Sequence, residues 1–169
     1  FCQIIICLYK MQNSNYNHTD IEKEIYNYWE KNNFFKPRKS KKKHFSIVIP
    51  PPNVTGSLHM GHALNNSLQD LLIRFYRMHG FETLWQPGTD HAGIATQAVV
   101  EKKLLDKGVK KNQLGREKFI NEVWKWKKES GDQIINQLKK LGCSCDWSRN
   151  RFTMDNELSK SVTKTFVQL

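Results

Sequence analysis

Apolar positions along the chain change their period several times, and each change marks an element. From Thr19, "TDIEKEIYNYWEKNNFF" places Ile21, Ile25 and Trp29 on one helical face, with Thr19 and Glu22 at the spacing of a capping box. "FSIVI", residues 45–49, is a continuous apolar run closed by Pro50, Pro51 and Pro52. It predicts a buried parallel strand, since such strands are covered on both faces and proline cannot extend a ladder. Leu64, Leu68, Leu71, Leu72, Phe75 and Met78 return at helical spacing, and His79-Gly80 supplies the stop. "ETLWQ", residues 82–86, reads as a second strand. Further helices are predicted over 94–106 and over 116–141, the latter through Phe119, Val123, Trp124, Ile134, Leu138 and Leu141. Gly131 is a break point inside it and Gly142 its C-terminal cap. Leu158, Val162, Phe166 and Leu169 make a last amphipathic pattern with no stop signal after it.

Strand, loop, helix and strand in that order form a βαβ unit, which predicts an α/β fold: a parallel sheet with flanking helices, preceded here by a short N-terminal helix. In such folds ligands sit outside the C-terminal ends of the strands. Two unusual segments fall there, "PPPNVTGSLHMGH" at 50–62 and "PGTDHAG" at 87–93.

Charge narrows the choice of partner. Lys and Arg outnumber Asp and Glu 27 to 16, a formal net charge of +11, which suits a polyanion. The excess is densest in "KPRKSKKK", residues 36–43, an exposed basic linker able to meet RNA phosphate. Residues 1–10, "FCQIIICLYK", hold an apolar run far below the roughly 20 residues of a membrane span and lack the layout of a signal peptide. We expect a leader at 1–10 upstream of a start at Met11, a helix and basic linker over 11–44, and a catalytic part over 45–169 that continues past Leu169. Cys2, Cys7, Cys143 and Cys145 are expected as reduced thiols in a cytoplasmic protein. One C-x-C pair does not make a zinc site.

His59 and His62 are three apart, so both rings can lie at the start of the helix that Gly61 opens. There free backbone N–H groups and the positive dipole end attract an anion. Two imidazoles that donate hydrogen bonds add to that field, and Gly61, with no Cβ, lets a flat base or sugar come close. The expected ligand is a nucleotide with its phosphates at the histidines. A metal clamp would need Asp90 and His91 as further ligands, at a spacing that matches no metal signature. Ser57 lacks the strand-to-helix elbow of a nucleophile.

H-x-G-H after a buried strand resembles the first signature of the class I aminoacyl-tRNA synthetases. The longer text "PPPNVTGSLHMGHALNNSLQDLLIRFYRMHGFETLWQPGTDHAGIATQ" is similar to the valyl-tRNA synthetase family, as are "GREKFINEVWKWKKESGDQIINQLKKLG" and "DWSRNRFTMD". The likeness runs over residues 20–169. It implies the N-terminal half of a Rossmann-like class I catalytic core. It also implies ATP-dependent activation of valine, with Mg2+ accompanying the nucleotide, and transfer to valine tRNA. Within the signature span Pro52 to His62, His59 and His62 match the catalytic histidines that stabilise charge on the ATP phosphates, and Gly61 the position under the adenosine. Asp90 matches the carboxylate that receives the substrate ammonium; Pro51 and Asn53 match positions lining the amino-acid pocket. A pocket that selects by size rejects threonine poorly, and valine-specific enzymes are the standard example, at only about a hundredfold. The family therefore carries an editing insertion, expected beyond Leu169 together with the lysine signature K-M-S-K-S. "ELSKS", residues 157–161, resembles that signature but lacks its first lysine and opens an amphipathic helix. The chain alone is accordingly expected to be inactive.

Overall fold

The computed structural model describes residues 17–169; Cys2, Cys7, Met11 and the 1–10 leader lie outside the described residues. The chain divides into two units, one ending at Phe35 and one running from Lys36 to Leu169. In the first, α1 spans His18–Lys31. Its cap is Asn17, whose Oδ1 accepts from the Thr19 N–H at 3.2 Å and from the Thr19 hydroxyl at 2.8 Å. The helix is thus capped by Asn17, two residues before the expected Thr19, in keeping with asparagine capping at least as well as threonine. Ile21, Tyr26 and Phe35 are buried, Tyr26 edge-on to Trp29 and tilted on Phe35.

The second unit opens with the basic linker, an exposed loop that is nonetheless anchored. The Glu82 carboxylate accepts from the Arg38 N–H at 2.8 Å and from the Ser40 hydroxyl at 3.2 Å. These bonds, the Arg38 N–H first, hold the Glu82 carboxyl below its usual range. Then come β1 (His44–Val48), α2 (Met60–Met78), β2 (Glu82–Gln86), β3 (Gly88–Thr89), α3 (Ile94–Asp106), a single turn α4 (Lys111–Leu114), α5 (Arg116–Lys140), β4 (Arg151–Phe152) and α6 (Asn156–Gln168). β1 pairs in parallel with β2 from His44 opposite Glu82 to Val48 opposite Gln86. β3, separated from β2 only by Pro87, pairs in parallel with β4 on its other side. The chain therefore forms the βαβ unit read from its sequence, with a third parallel segment beyond it.

The core gathers Ile49, Val54, Ile73, Trp85, Ile134, Leu138, Cys143, Cys145 and Phe152. One expectation about it needs correction. β1 is parallel but not buried on both faces: Phe45 and Ile47 turn inward, whereas Val48 is 71% exposed. α2 covers the face of Phe45, and Ser46 and Val48 on the other are exposed. The leucine stripe of α2 is also exposed, Leu64, Leu68 and Leu71 included. The helix meets the rest of the fold instead with Ile73, with Tyr76 stacked on Phe45 at 4.0 Å, and with polar anchors. Gln69 accepts from the Trp85 indole N–H at 3.0 Å. Asp70 accepts from the Ser144 N–H at 2.9 Å, and Arg74 donates to the Gly142 carbonyl at 2.7 Å.

α5 runs unbroken through Gly131. Its end is a Schellman turn: Gly142, at φ +84°, donates to the Lys139 carbonyl, and Cys143 donates to that of Leu138. "ELSKS" lies within α6 on exposed turns.

A Cβ added at Gly131 would meet nothing within 4 Å. Gly131→Ala is therefore expected to stabilise the fold by about 0.5–1 kcal/mol through helix propensity, read as a raised denaturant midpoint; a lowered midpoint would mean the position needs glycine. Burial pushes the Cys143 thiol up to about 12 and raises that of Cys145 as well. Both are expected to resist alkylation at pH 8 in the native protein and to react after unfolding, as peptide mapping by mass spectrometry would record.

Candidate active site

Parallel strands share one C-terminal edge, and three segments of this chain meet on it. The prolines end β1 as a regular strand, yet the backbone re-engages beyond them. Asp90 donates its N–H to the Pro52 carbonyl at 2.9 Å, and Val54 donates to the Asp90 carbonyl at 3.0 Å. Asn53 and Asp90 are thereby bridged side by side. On the other flank Thr153, just past β4, donates its N–H to the Thr89 carbonyl at 3.1 Å.

From Val54 the chain turns toward α2 on a template supplied by α5. Trp126 donates its indole N–H to the Val54 carbonyl at 2.8 Å, Ser130 its hydroxyl to the Gly56 carbonyl at 3.5 Å, and the Leu58 N–H bonds Gln137 Oε1 at 2.9 Å. His59 then lands as the N-cap of α2. Its Nδ1 accepts the Gly61 N–H at 3.1 Å, while His62 Nδ1 accepts the His59 N–H at 3.3 Å. The two histidines thus form a reciprocal capping box, rings 4.0 Å apart. An Nδ1 that accepts carries no proton, so each ring keeps its proton on Nε2 and has a donor to offer. Burial, and then the neighbouring His59, lower the pKa of His62 and keep it neutral. Gly61 has an internal reason to be glycine as well: a Cβ there would lie 2.9 Å from His59 Cε1. The sequence-based reason, room for a nucleoside, is compatible with this one.

Asp90 is 32% exposed on its side chain and held at one oxygen. Its Oδ1 accepts from the Thr153 hydroxyl at 2.8 Å and lies 3.3 Å from His91 Nδ1. The same hydroxyl oxygen lies 2.9 Å from the His91 N–H and 2.7 Å from His91 Nδ1. After His91 the chain reverses through two consecutive left-handed residues, Ala92 at φ 51° and Gly93 at φ 48°, to enter α3. Pro51 and Asn53 are exposed and Pro52 is buried. Beside this edge opens a cleft of ≈ 730 Å3, floored by Phe119, Trp124 and Phe152, with His91 and Lys127 on its wall. His59, Gly61, His62, Asp90, Pro51 and Asn53 are not among its lining residues.

The structure therefore joins Asn53 to Asp90 through the backbone and His59 to His62 through the helix cap. Residues that sequence reading missed hold these pairs: Thr153 on Asp90, and Trp126, Ser130 and Gln137 under the loop. Nothing local marks any of the four; Thr153 had only its place in "RFTMD" to suggest it. Among the described residues, no three His, Cys, Asp or Glu side chains converge as a metal set, and no helix is long and apolar enough to cross a membrane.

The family model for class I tRNA synthetases (I, L, M and V) matches residues 24–169. A valine–tRNA ligase from Pelagibacter ubique is 74% identical over 159 residues, covering 94% of this chain and 18% of the relative. One from Geobacter sulfurreducens is 61% identical over 155 residues, covering 91% and 18%. The chain thus spans under a fifth of the length of the curated relatives it matches. Among solved structures, LeuRS of Agrobacterium radiobacter, in a ternary complex with tRNA and LeuAMS, aligns with a TM-score of 0.74 at 21% identity. The alignment covers 92% of this chain and 18% of that one, and it shows the shared fold. With a parallel βαβ core and a histidine-capped helix at its strand ends, matched by the family model over nearly its whole length, the chain belongs to the class I tRNA synthetases.

Proposed function

We propose that this chain is the part of a valine–tRNA ligase that holds ATP and valine while the adenylate forms, with 45–169 belonging to its catalytic domain. In that reaction the valine carboxylate attacks the α-phosphate of ATP and pyrophosphate leaves, so negative charge grows on the phosphate oxygens. The Nε2–H donors of His59 and His62, set at a helix N-terminus, stabilise that charge; they act as electrostatic groups, not as bases. Gly61 leaves the approach open for the nucleoside, and Mg2+ comes with the nucleotide. Asp90 receives the ammonium of valine through its unshared oxygen. Pro51 and Asn53, on the neighbouring backbone, border the side-chain pocket. The valyl group then passes to the 3′ end of valine tRNA, a polyanion suited to the chain's positive charge, in the cytoplasm. The observation that supports this reading best is the histidine cap, because it spends both Nδ1 atoms internally and leaves two fixed donors at the strand-end crevice.

The full-length protein carrying this segment is expected to catalyse valine-dependent ATP–pyrophosphate exchange, while the 169-residue chain alone gives background. In the full-length protein, His59→Ala and His62→Ala are each expected to lower kcat by about 10²–10³ with KM for ATP close to wild type, since the charge they face is largest in the transition state. Equal losses in kcat and in ATP binding would contradict the role. Exchange driven by another amino acid and not by valine would overturn the substrate.

A further inference from the structure

We propose that Thr153 is a positioning residue for amino-acid binding: its hydroxyl fixes the Asp90 carboxylate and keeps the proton of His91 off it. The inference rests on the reading of Asp90 as the ammonium receiver. A hydroxyl has one proton and two lone pairs. A carboxylate can only accept, so the 2.8 Å bond from Thr153 Oγ1 to Asp90 Oδ1 uses the proton. Both lone pairs must then accept, one from the His91 backbone N–H at 2.9 Å and one from His91 Nδ1 at 2.7 Å. This sets the His91 tautomer as Nδ1–H and leaves Nε2 as the ring's acceptor. The hydroxyl is saturated by these three bonds.

Two consequences follow for Asp90. The torsion about a carboxylate is soft and two-fold, so an unanchored Asp90 would sample orientations that a bound ammonium would have to freeze. With Oδ1 tied, Oδ2 has no protein partner among the described residues and is aimed in advance. Secondly, His91 Nδ1 already stands 3.3 Å from Asp90 Oδ1. Without the Thr153 hydroxyl its N–H is free to bond the carboxylate directly and to draw off the charge meant for the substrate.

The side chain is not needed to place its own strand. The Thr153 N–H is bonded to the Thr89 carbonyl, and the following turn closes on itself through Asp155, which accepts the Phe152 N–H at 3.0 Å and donates its own N–H to the Phe152 carbonyl at 2.8 Å. Losing the hydroxyl should therefore change the carboxylate and leave the ladder.

The test uses the full-length protein in valine-dependent ATP–pyrophosphate exchange. Thr153→Val, equal in shape and without the hydroxyl, is expected to raise KM for valine roughly tenfold, the scale of one hydrogen bond to a charged group. KM for ATP and kcat should change little, because the ammonium contact is the same in ground and transition states. Thr153→Ser is expected to restore most of the loss. Thr153→Cys, a weaker donor of similar volume, should fall between them, and it stands in if the valine variant does not fold. Inhibition by 3-methylbutanoate, which is valine without its ammonium, should be unchanged in every variant. An unchanged valine KM would overturn the inference, as would a parallel rise in KM for ATP or equal weakening of 3-methylbutanoate. If the unmutated protein shows no valine-dependent exchange, it is the underlying reading that fails.

Discussion

The site depends on one backbone splice. Three prolines in a row ought to end the contact between β1 and its neighbour, because proline brings no N–H to a ladder. Contact resumes one step later, where the Pro52 carbonyl and the Val54 N–H clasp Asp90 from both sides. Because only the carbonyl of Pro52 is used, the proline costs nothing there. The splice puts Asn53 beside Asp90, buries Val54 completely, and fixes the direction in which the chain leaves toward α2. Thr153 closes the same edge from the opposite flank. Each group placed in the site hangs on a backbone atom one or two residues from this clasp, or on the short turn that it launches.

That turn has no regular structure, so its precision is borrowed. Trp126, Ser130 and Gln137 lie along one face of α5 and each bonds a different backbone group between Val54 and Leu58. A 25-residue helix is stiff, and three anchors on it define the loop better than the loop's own side chains can. α5 is in turn held to the core through Ile134 and Leu138. The rigidity that the proposed catalysis by fixed dipoles requires is thus supplied by a helix that contributes no group of its own to the histidine pair.

The sequence carried the elements well and the connections poorly. Periodicity located α2, α3 and α5 because a helical face repeats over many residues, and His79-Gly80 and Gly142 located two ends because a left-handed stop leaves its mark in a single residue. It misjudged the covering of β1, since an apolar residue declares that it needs cover and not where the cover lies. At Gly131 composition suggested a break, yet packing on both sides keeps the helix whole. The histidines and Asp90 stood out in the sequence as candidate chemistry. Their supports did not, because Thr153 and Gln137 are common residue types whose partners stand 62 to 79 positions away.

A histidine is an unusual choice of helix cap, and the choice is instructive. Serine, threonine, aspartate and asparagine cap more strongly. An aspartate, however, would bring negative charge to a helix end that, on the proposed reading, attracts phosphate, and the first turn of α2 contains no acidic residue. A hydroxyl that caps has little reach left for a second partner. The imidazole separates the two tasks across a rigid ring: Nδ1 satisfies the helix and, by accepting, forces the proton onto Nε2. The two rings lie 4.0 Å apart, and burial, then the neighbouring His59, lowers the pKa of His62. The cap therefore yields oriented donors whose direction is set before any ligand arrives. On the proposed reading, it gives up some helix stability for a site that needs no reorganisation when charge develops.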